Sequence, residues 1–170
     1  MTSYNGGKIR IGKRLAHVIY NESQKHRGEI KGYCEPFAGM LGVYRHIPNL
    51  FKNIPNMSYK AGDINQSTVA MWNDAQNGWV PPNTCTEEEY NNLKHADPSA
   101  LKGYIGHQYS FGGQFFNGYA PKYGKNKDST PASQRVVDIS QKLKDVEIFN
   151  CDYHNFSDLK GYILLPRSSI

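Results

Sequence analysis

Cysteine is scarce: Cys34, Cys85 and Cys151 are the three in 170 residues, widely spaced and without a Cys-x-x-Cys pair. An odd, dispersed set excludes a disulfide scaffold and a clustered zinc site, and it points to a reducing compartment. Long apolar runs are missing too. No stretch reaches the length that crosses a bilayer, and the first residues carry no signal-peptide core, so the expectation is a cytoplasmic protein without membrane attachment. Hydrophobic residues make up only 38%, and the mean hydropathy is -0.67. That leanness points toward disorder, but 12% aromatic residues oppose it. Acids are in deficit: 15 Asp and Glu stand against 20 Lys and Arg, a net charge of +5. This balance is compatible with a polyanionic partner without establishing one. The length suits one domain.

Hydrophobic spacing at Ile11, Leu15, Val18 and Ile19 predicts an amphipathic helix over residues 10–24. Residues 32–37 are bounded by Gly32 and Pro36 and read as a buried strand entering a turn. Residues 41–51 read as helical at their start, with Pro48 expected to break or restart the helix. Residues 57–63 form a second strand that ends in an acid, and 67–76 a helix with Gln66 or Ser67 near its N-cap. From Asn77 to Thr130 neither period holds. That stretch reads as a loop-rich insert with one acidic helix near residues 86–93. A helix over 133–144 and strands over 146–151 and 161–165 complete an α/β alternation. The expected segments are therefore 1–76, an insert over 77–132, and a return to the sheet over 133–170.

Three features carry chemistry. Glu35-Pro36-Phe37-Ala38-Gly39-Met40-Leu41-Gly42 is a glycine-bearing turn between strand and helix, where backbone N–H groups can approach a ligand. Asp63 ends the next strand about two dozen residues past Gly39, near the spacing at which nucleotide-binding α/β folds place a ribose-binding acid. The plainer alternative is an ordinary crossover, with Gly39 packing a turn and Asp63 capping the following helix. Third, Tyr4-Asn5-Gly6-Gly7-Lys8 precedes the first helix and can present Tyr4 and Lys8 to a carboxylate-bearing ligand, or it is a solvated terminus. The histidines show no metal-ligand spacing, and Glu87-Glu88-Glu89 reads as a solvated helix face.

Together these segments resemble the DNA adenine methylases that use S-adenosylmethionine. Their aromatic-x-Gly-Gly-Lys opening is matched by Tyr4, Gly6, Gly7 and Lys8. Their Glu-Pro-Phe-x-Gly-x-Gly turn is matched by Glu35, Pro36, Phe37 and Gly39, and their Asp-Ile-Asn by Asp63-Ile64-Asn65. Leu41 departs from the pattern where many members carry a second glycine. The resemblance implies a Rossmann-like methyltransferase sheet, of which this chain holds the N-terminal part, and methyl transfer to adenine N6 in double-stranded DNA, as in restriction-modification. It also implies a cofactor cleft in which Tyr4 and Lys8 flank the methionine part, Glu35, Phe37 and Gly39 line the wall, and Asp63 holds the ribose. Asp152 and Tyr153 stand where members carry a polar-aromatic pair that closes over the cofactor.

The same resemblance makes the insert a target-recognition region. Phe111-Gly112-Gly113-Gln114-Phe115-Phe116-Asn117-Gly118-Tyr119 is similar to the family's phenylalanine-asparagine loop. Lys122, Lys125 and Lys127 would engage phosphates, Gln114 or Asn117 would read an adenine edge, and Phe111 would wedge into the stack as the base flips. The alternative is a satellite core in which the rings pack on each other; most are expected to do so, leaving one or two exposed.

The family's catalytic Asp-Pro-Pro-Tyr does not occur in these residues, so no catalytic residue is assigned. The expectation is a methylase by architecture, inactive or impaired as this chain, with a separate polypeptide supplying the C-terminal half. A non-catalytic DNA- or cofactor-binding module is the alternative. Residues 161–165 would then be an exposed apolar edge that invites association. Arg167-Ser168-Ser169-Ile170 can be encoded as AGA TCC TCC ATA, and shifting by one base yields Asp-Pro-Pro and the start of a Tyr codon. A frameshift after Tyr162 is therefore expected, against coincidence from codon degeneracy.

Overall fold

A computed structural model describes residues 7–26, 28–120 and 132–165. Tyr4, the lysines at 122, 125 and 127, and the Arg167-Ser168-Ser169-Ile170 stretch lie outside them. The described elements are α1 (Gly12–Ser23), β1 (Gly32–Glu35), α2 (Ile47–Phe51), β2 (Ser58–Asp63), α3 (Gln66–Gln76), α4 (Glu87–His95), α5 (Ala100–Gln108), α6 (Ala132–Gln141), β3 (Val146–Asn150) and β4 (Tyr162–Leu164). The protein is α/β, with four strands in one all-parallel sheet ordered β3-β2-β1-β4. This is the order a Rossmann-like sheet has around its first strand.

The chain divides into two compact units. The α/β unit holds described residues 7–26, 28–64 and 142–165, and the helical unit holds 65–120 and 132–141. These boundaries differ from the expected segments, because α3 and α6 cluster with the insert and not with the sheet.

In the α/β unit β1 is interior and wholly buried, as a strand flanked on both sides must be. Its register pairs Gly32 with Ser58 on β2 and with Tyr162 on β4. β4 has β1 on one side and no other described strand on the other; Leu164 there is exposed. Pro48 starts α2, because a first-turn proline lacks only an N–H that would go unpaired anyway. Of the apolar face expected of α1, Leu15 and Ile19 are half-buried and none is fully buried. Ile11 and Val18 are exposed, whereas Gly12, Ala16 and Ser23 face inward. The reason is close approach: a Cβ on Gly12 would lie 2.0 Å from the Gly42 carbonyl oxygen. Small residues win the inner face wherever backbones meet.

The helical unit contains an element the sequence conceals. α5 spans part of the supposed loop-rich insert and is buried over seven of its residues, from Ala100 through Gln108. Gly103 and Gly106 make it look unhelical, yet both are small for packing reasons. A Cβ on Gly103 would meet the Ser67 carbonyl oxygen at 2.0 Å, and one on Gly106 would meet the Phe115 and Phe116 rings. α4 forms close to the expected place, closed by a capping box in which Thr86 and Glu89 exchange hydrogen bonds. The cap of α3 is Asn65, one residue before the expected pair; its side-chain oxygen accepts from the Ser67 and Thr68 N–H groups.

Candidate functional site

The C-terminal edge of the sheet collects the described cofactor candidates. β1 ends at Glu35, β2 at Asp63, and Asp152 and Tyr153 follow β3. The turn after β1 and the end of β2 are joined directly: the Gly39 N–H donates to Asp63 Oδ2 at 2.8 Å. Asp63 is therefore not the cap of α3, a role Asn65 fills. Asn150 Nδ2 donates to the carbonyls of Asp63 and Ile64 and fixes the chain as it leaves β2. The sequence reading passed over Asn150, although its place at the end of a strand, in register with Asp63, marks it.

Turn geometry bears on the Leu41 departure. Gly39 has φ +47° and Leu41 φ +51°, a region that favours glycine. Leu41 thus adopts a left-handed backbone that side chains other than glycine rarely take. Full burial of its side chain offsets the strain.

The N-terminal segment meets this turn backbone to backbone. A Cβ on Gly42 would come within 3.0 Å of the Lys8 carbonyl carbon and of the Ile9 nitrogen. Two of the three motifs are thus brought together through Gly42, and the third through Gly39 and Asp63.

Glu35 is buried at 4% exposure. The Tyr33 hydroxyl donates to its Oε1 at 2.8 Å. Burial pushes its carboxyl up to about 8, while the Tyr33 hydrogen bond, the charge of Lys8 and a backbone hydrogen bond from Tyr44 pull it back. Tyr33 and Tyr44 pack edge to face, with centroids 5.1 Å apart, and their hydroxyls are raised by burial first and by Glu35 second. Such a carboxyl keeps its proton to higher pH than a surface acid does.

Phe37 and Tyr153 lie against each other, with centroids 5.3 Å apart and planes tilted by 31°. Both rings are partly exposed, 39% and 46%, so they offer apolar faces to a planar ligand. Asp152 accepts from the His154 N–H at 2.9 Å and pairs with its ring nitrogen at 2.5 Å. These bonds hold the Asp152 carboxyl below its ordinary value. Asp152 is thus engaged in starting the short turn Tyr153–Phe156. The cysteines add no nucleophile, since burial pushes Cys34 up to about 12 and Cys85 up to about 11.

The recognition candidates form a loop tip on the helical unit. Ser110 bridges Tyr119, and the Ala120 N–H donates to the Tyr109 carbonyl at 2.7 Å, closing residues 111–118 into a hairpin-like loop. Phe111 is 64% exposed. Asn117 Nδ2 donates to Gln114 Oε1 at 2.6 Å, so the two amides expected to read bases stand side by side at the surface. Beneath them the rings pack as a satellite core. Tyr90 contacts Phe116 and Tyr119, Phe115 contacts His107 and Phe116, and the Tyr90 hydroxyl meets Ser110 Oγ at 2.7 Å.

No protein-family model matches the chain, and no curated protein matches it. Among the described residues, no helix is long and apolar enough to cross a membrane.

Proposed function

We propose that the α/β unit binds S-adenosylmethionine at the C-terminal edge of its sheet, and that the chain is a DNA adenine-N6 methyltransferase by architecture. The observation that carries this reading is the Gly39–Asp63 bond beside β1 in a β3-β2-β1-β4 sheet. Strand order reverses at β1, and open α/β sheets bind ligands in the crevice at that switch point. An ionised carboxylate has about four acceptor sites, so Asp63 can brace the turn and accept from ribose hydroxyls. Phe37 and Tyr153 would flank the adenine ring, and Lys8 would meet the methionine carboxylate. On the helical unit, Phe111, Gln114 and Asn117 would face double-stranded DNA, with Lys122, Lys125 and Lys127 engaging phosphates. A cytoplasmic location and a further polypeptide pairing along β4 belong to the same reading.

These residues contain no Asp-Pro-Pro-Tyr, so the proposal gives them cofactor binding and DNA recognition and no catalytic step. That absence favours, as a second reading, a cofactor- and DNA-binding module without methyl transfer. Calorimetry with S-adenosylmethionine or S-adenosylhomocysteine tests the cleft. Asp63→Ala should weaken binding by about 1–3 kcal/mol through unpaired ribose hydroxyls. No heat with the parent chain, or unchanged affinity in the variant, overturns the assignment. Transfer of labelled methyl groups to duplex DNA by this chain alone would remove the second reading.

A further inference from the structure

A second pocket in the α/β unit, about 400 Å³ in volume, takes five of its seven lining residues from cations and imidazoles, beside Asn49 and Leu50. Lys13 and His17, one helical turn apart on α1, line one side. Arg45 and His46, from the 3₁₀ turn Tyr44–His46, line another, with Asn49 of α2 and Lys142 completing it. Among the described residues, no carboxylate lines it. Five groups that are or can become positive face one concavity, an arrangement that costs free energy unless an anion neutralises it. The Arg45 Nε is a buried donor with no hydrogen-bond partner among the described residues. Buried donors are seldom left orphaned, because each costs the desolvation of a polar group.

We propose that this pocket is a phosphoanion site, with Arg45 as its anchor and Lys13, Lys142 and the two imidazoles as its rim. Guanidinium matches a phosphate oxygen pair in geometry and charge, and the lysines act as point charges around it. The volume admits several linked phosphate groups, so the ligand is an oligophosphate end or a stretch of nucleic-acid backbone. This inference is independent of the methyltransferase reading and uses none of its residues.

The site titrates. His46 is held below its ordinary value by burial first, and then by the charges of Arg45, Lys142, Lys13 and His17. A bound phosphoanion offsets those charges, so His46 takes up a proton on binding and affinity rises as pH falls toward 6.

Calorimetry with tripolyphosphate at fixed ionic strength is the direct experiment, run at pH 6 and pH 8 and in two buffers of different ionisation heat. The expected result is saturable binding, tighter at pH 6, with proton uptake. Arg45→Gln should weaken it about tenfold or more, the cost of losing a charged hydrogen bond. Lys142→Glu, at an exposed position, tests the same pocket without touching a buried group and should weaken binding likewise. A duplex oligonucleotide added in competition separates the sources: displacement of tripolyphosphate assigns the site to nucleic-acid backbone, and no displacement to a free oligophosphate. Absence of binding, or binding that Lys142→Glu and Arg45→Gln both leave unchanged, overturns the proposal.

Discussion

The two units bury their cores by different means. The α/β unit relies on an interior parallel strand whose side chains are buried on both faces. The helical unit relies on glycine in α5 that lets α3 and aromatic rings come close, and on hydroxyl bonds that tie those rings together. The first scheme tolerates one odd group, the buried Glu35 carboxyl. The second tolerates no added methyl group at Gly103. Both cores hold polar groups of different kinds: a carboxyl at Glu35 in the α/β unit, and in the helical unit neutral groups such as Thr68, whose hydroxyl meets His107 Nε2 at 3.0 Å.

Glu35 offers the largest effect by which to sharpen this contrast. Its folded value of about 8 lies above the ordinary 4.5, so the folded state binds more protons between those values. Stability falls as pH rises through that window and levels off above it. The full change is roughly 5 kcal/mol at most. Urea midpoints from pH 4 to 9 should follow that slope, and Glu35→Gln should flatten it; a level profile for the parent chain would refute the buried acid.

Next come the paired glycines, each with a carbonyl oxygen 2.0 Å from where a Cβ would stand. Gly12→Ala and Gly103→Ala should each cost about 3 kcal/mol, because the obstructing atom is backbone. Both tryptophans, Trp72 and Trp79, lie in the helical unit. Gly103→Ala should therefore lower the unfolding midpoint read by tryptophan fluorescence, whereas Gly12→Ala should act first on the cofactor affinity proposed for the α/β unit. Equal effects of both variants on both readouts would break the division into two units.

Smaller effects separate caps from surface charge. Thr86→Ala removes the oxygen that accepts from the Glu89 N–H and should cost about 1 kcal/mol of helical-unit stability. Lys60→Gln removes a partly exposed bridge to Glu147 across β2 and β3 and should cost about 0.5 kcal/mol, vanishing in high salt. A salt-insensitive loss there would mean that Lys60 acts through its ammonium over the Phe149 ring, 5.3 Å from the centroid.

The strands and the turn after β1 were readable in the sequence because their signals are local. β1, β2, β3 and β4 each fall within a residue or two of the expected ranges, and the turn carrying Gly39 and the acid at Asp63 occur in plain order. The link between them, Gly39 N–H to Asp63, is a contact across strands that no spacing could state. What the sequence hid is what depends on a partner. α5 was concealed because Gly103 and Gly106 answer to Ser67 and Phe115 and not to helix propensity. The fully buried positions of α1 were missed for the same reason, since Gly12 answers to Gly42. The cationic pocket escaped as well, because its groups come from three separate stretches of chain.

The register that sets Gly32 beside Tyr162 has a consequence in time. Residues 65–120 and 132–141 lie between the strands of the sheet, so a growing chain delivers the whole helical unit before β3 and β4 exist. That unit can fold while synthesis continues, at rates on the order of ten residues per second. The sheet cannot: closing β1 onto β4 means closing the longest loop in the molecule, and such non-local parallel pairing is slow. Until then the edge of β1 that takes β4, with Tyr33 and Cys34 at its centre, stays open. The nascent protein is most exposed to misassociation in that interval, and a chaperone that shields β1 would act there.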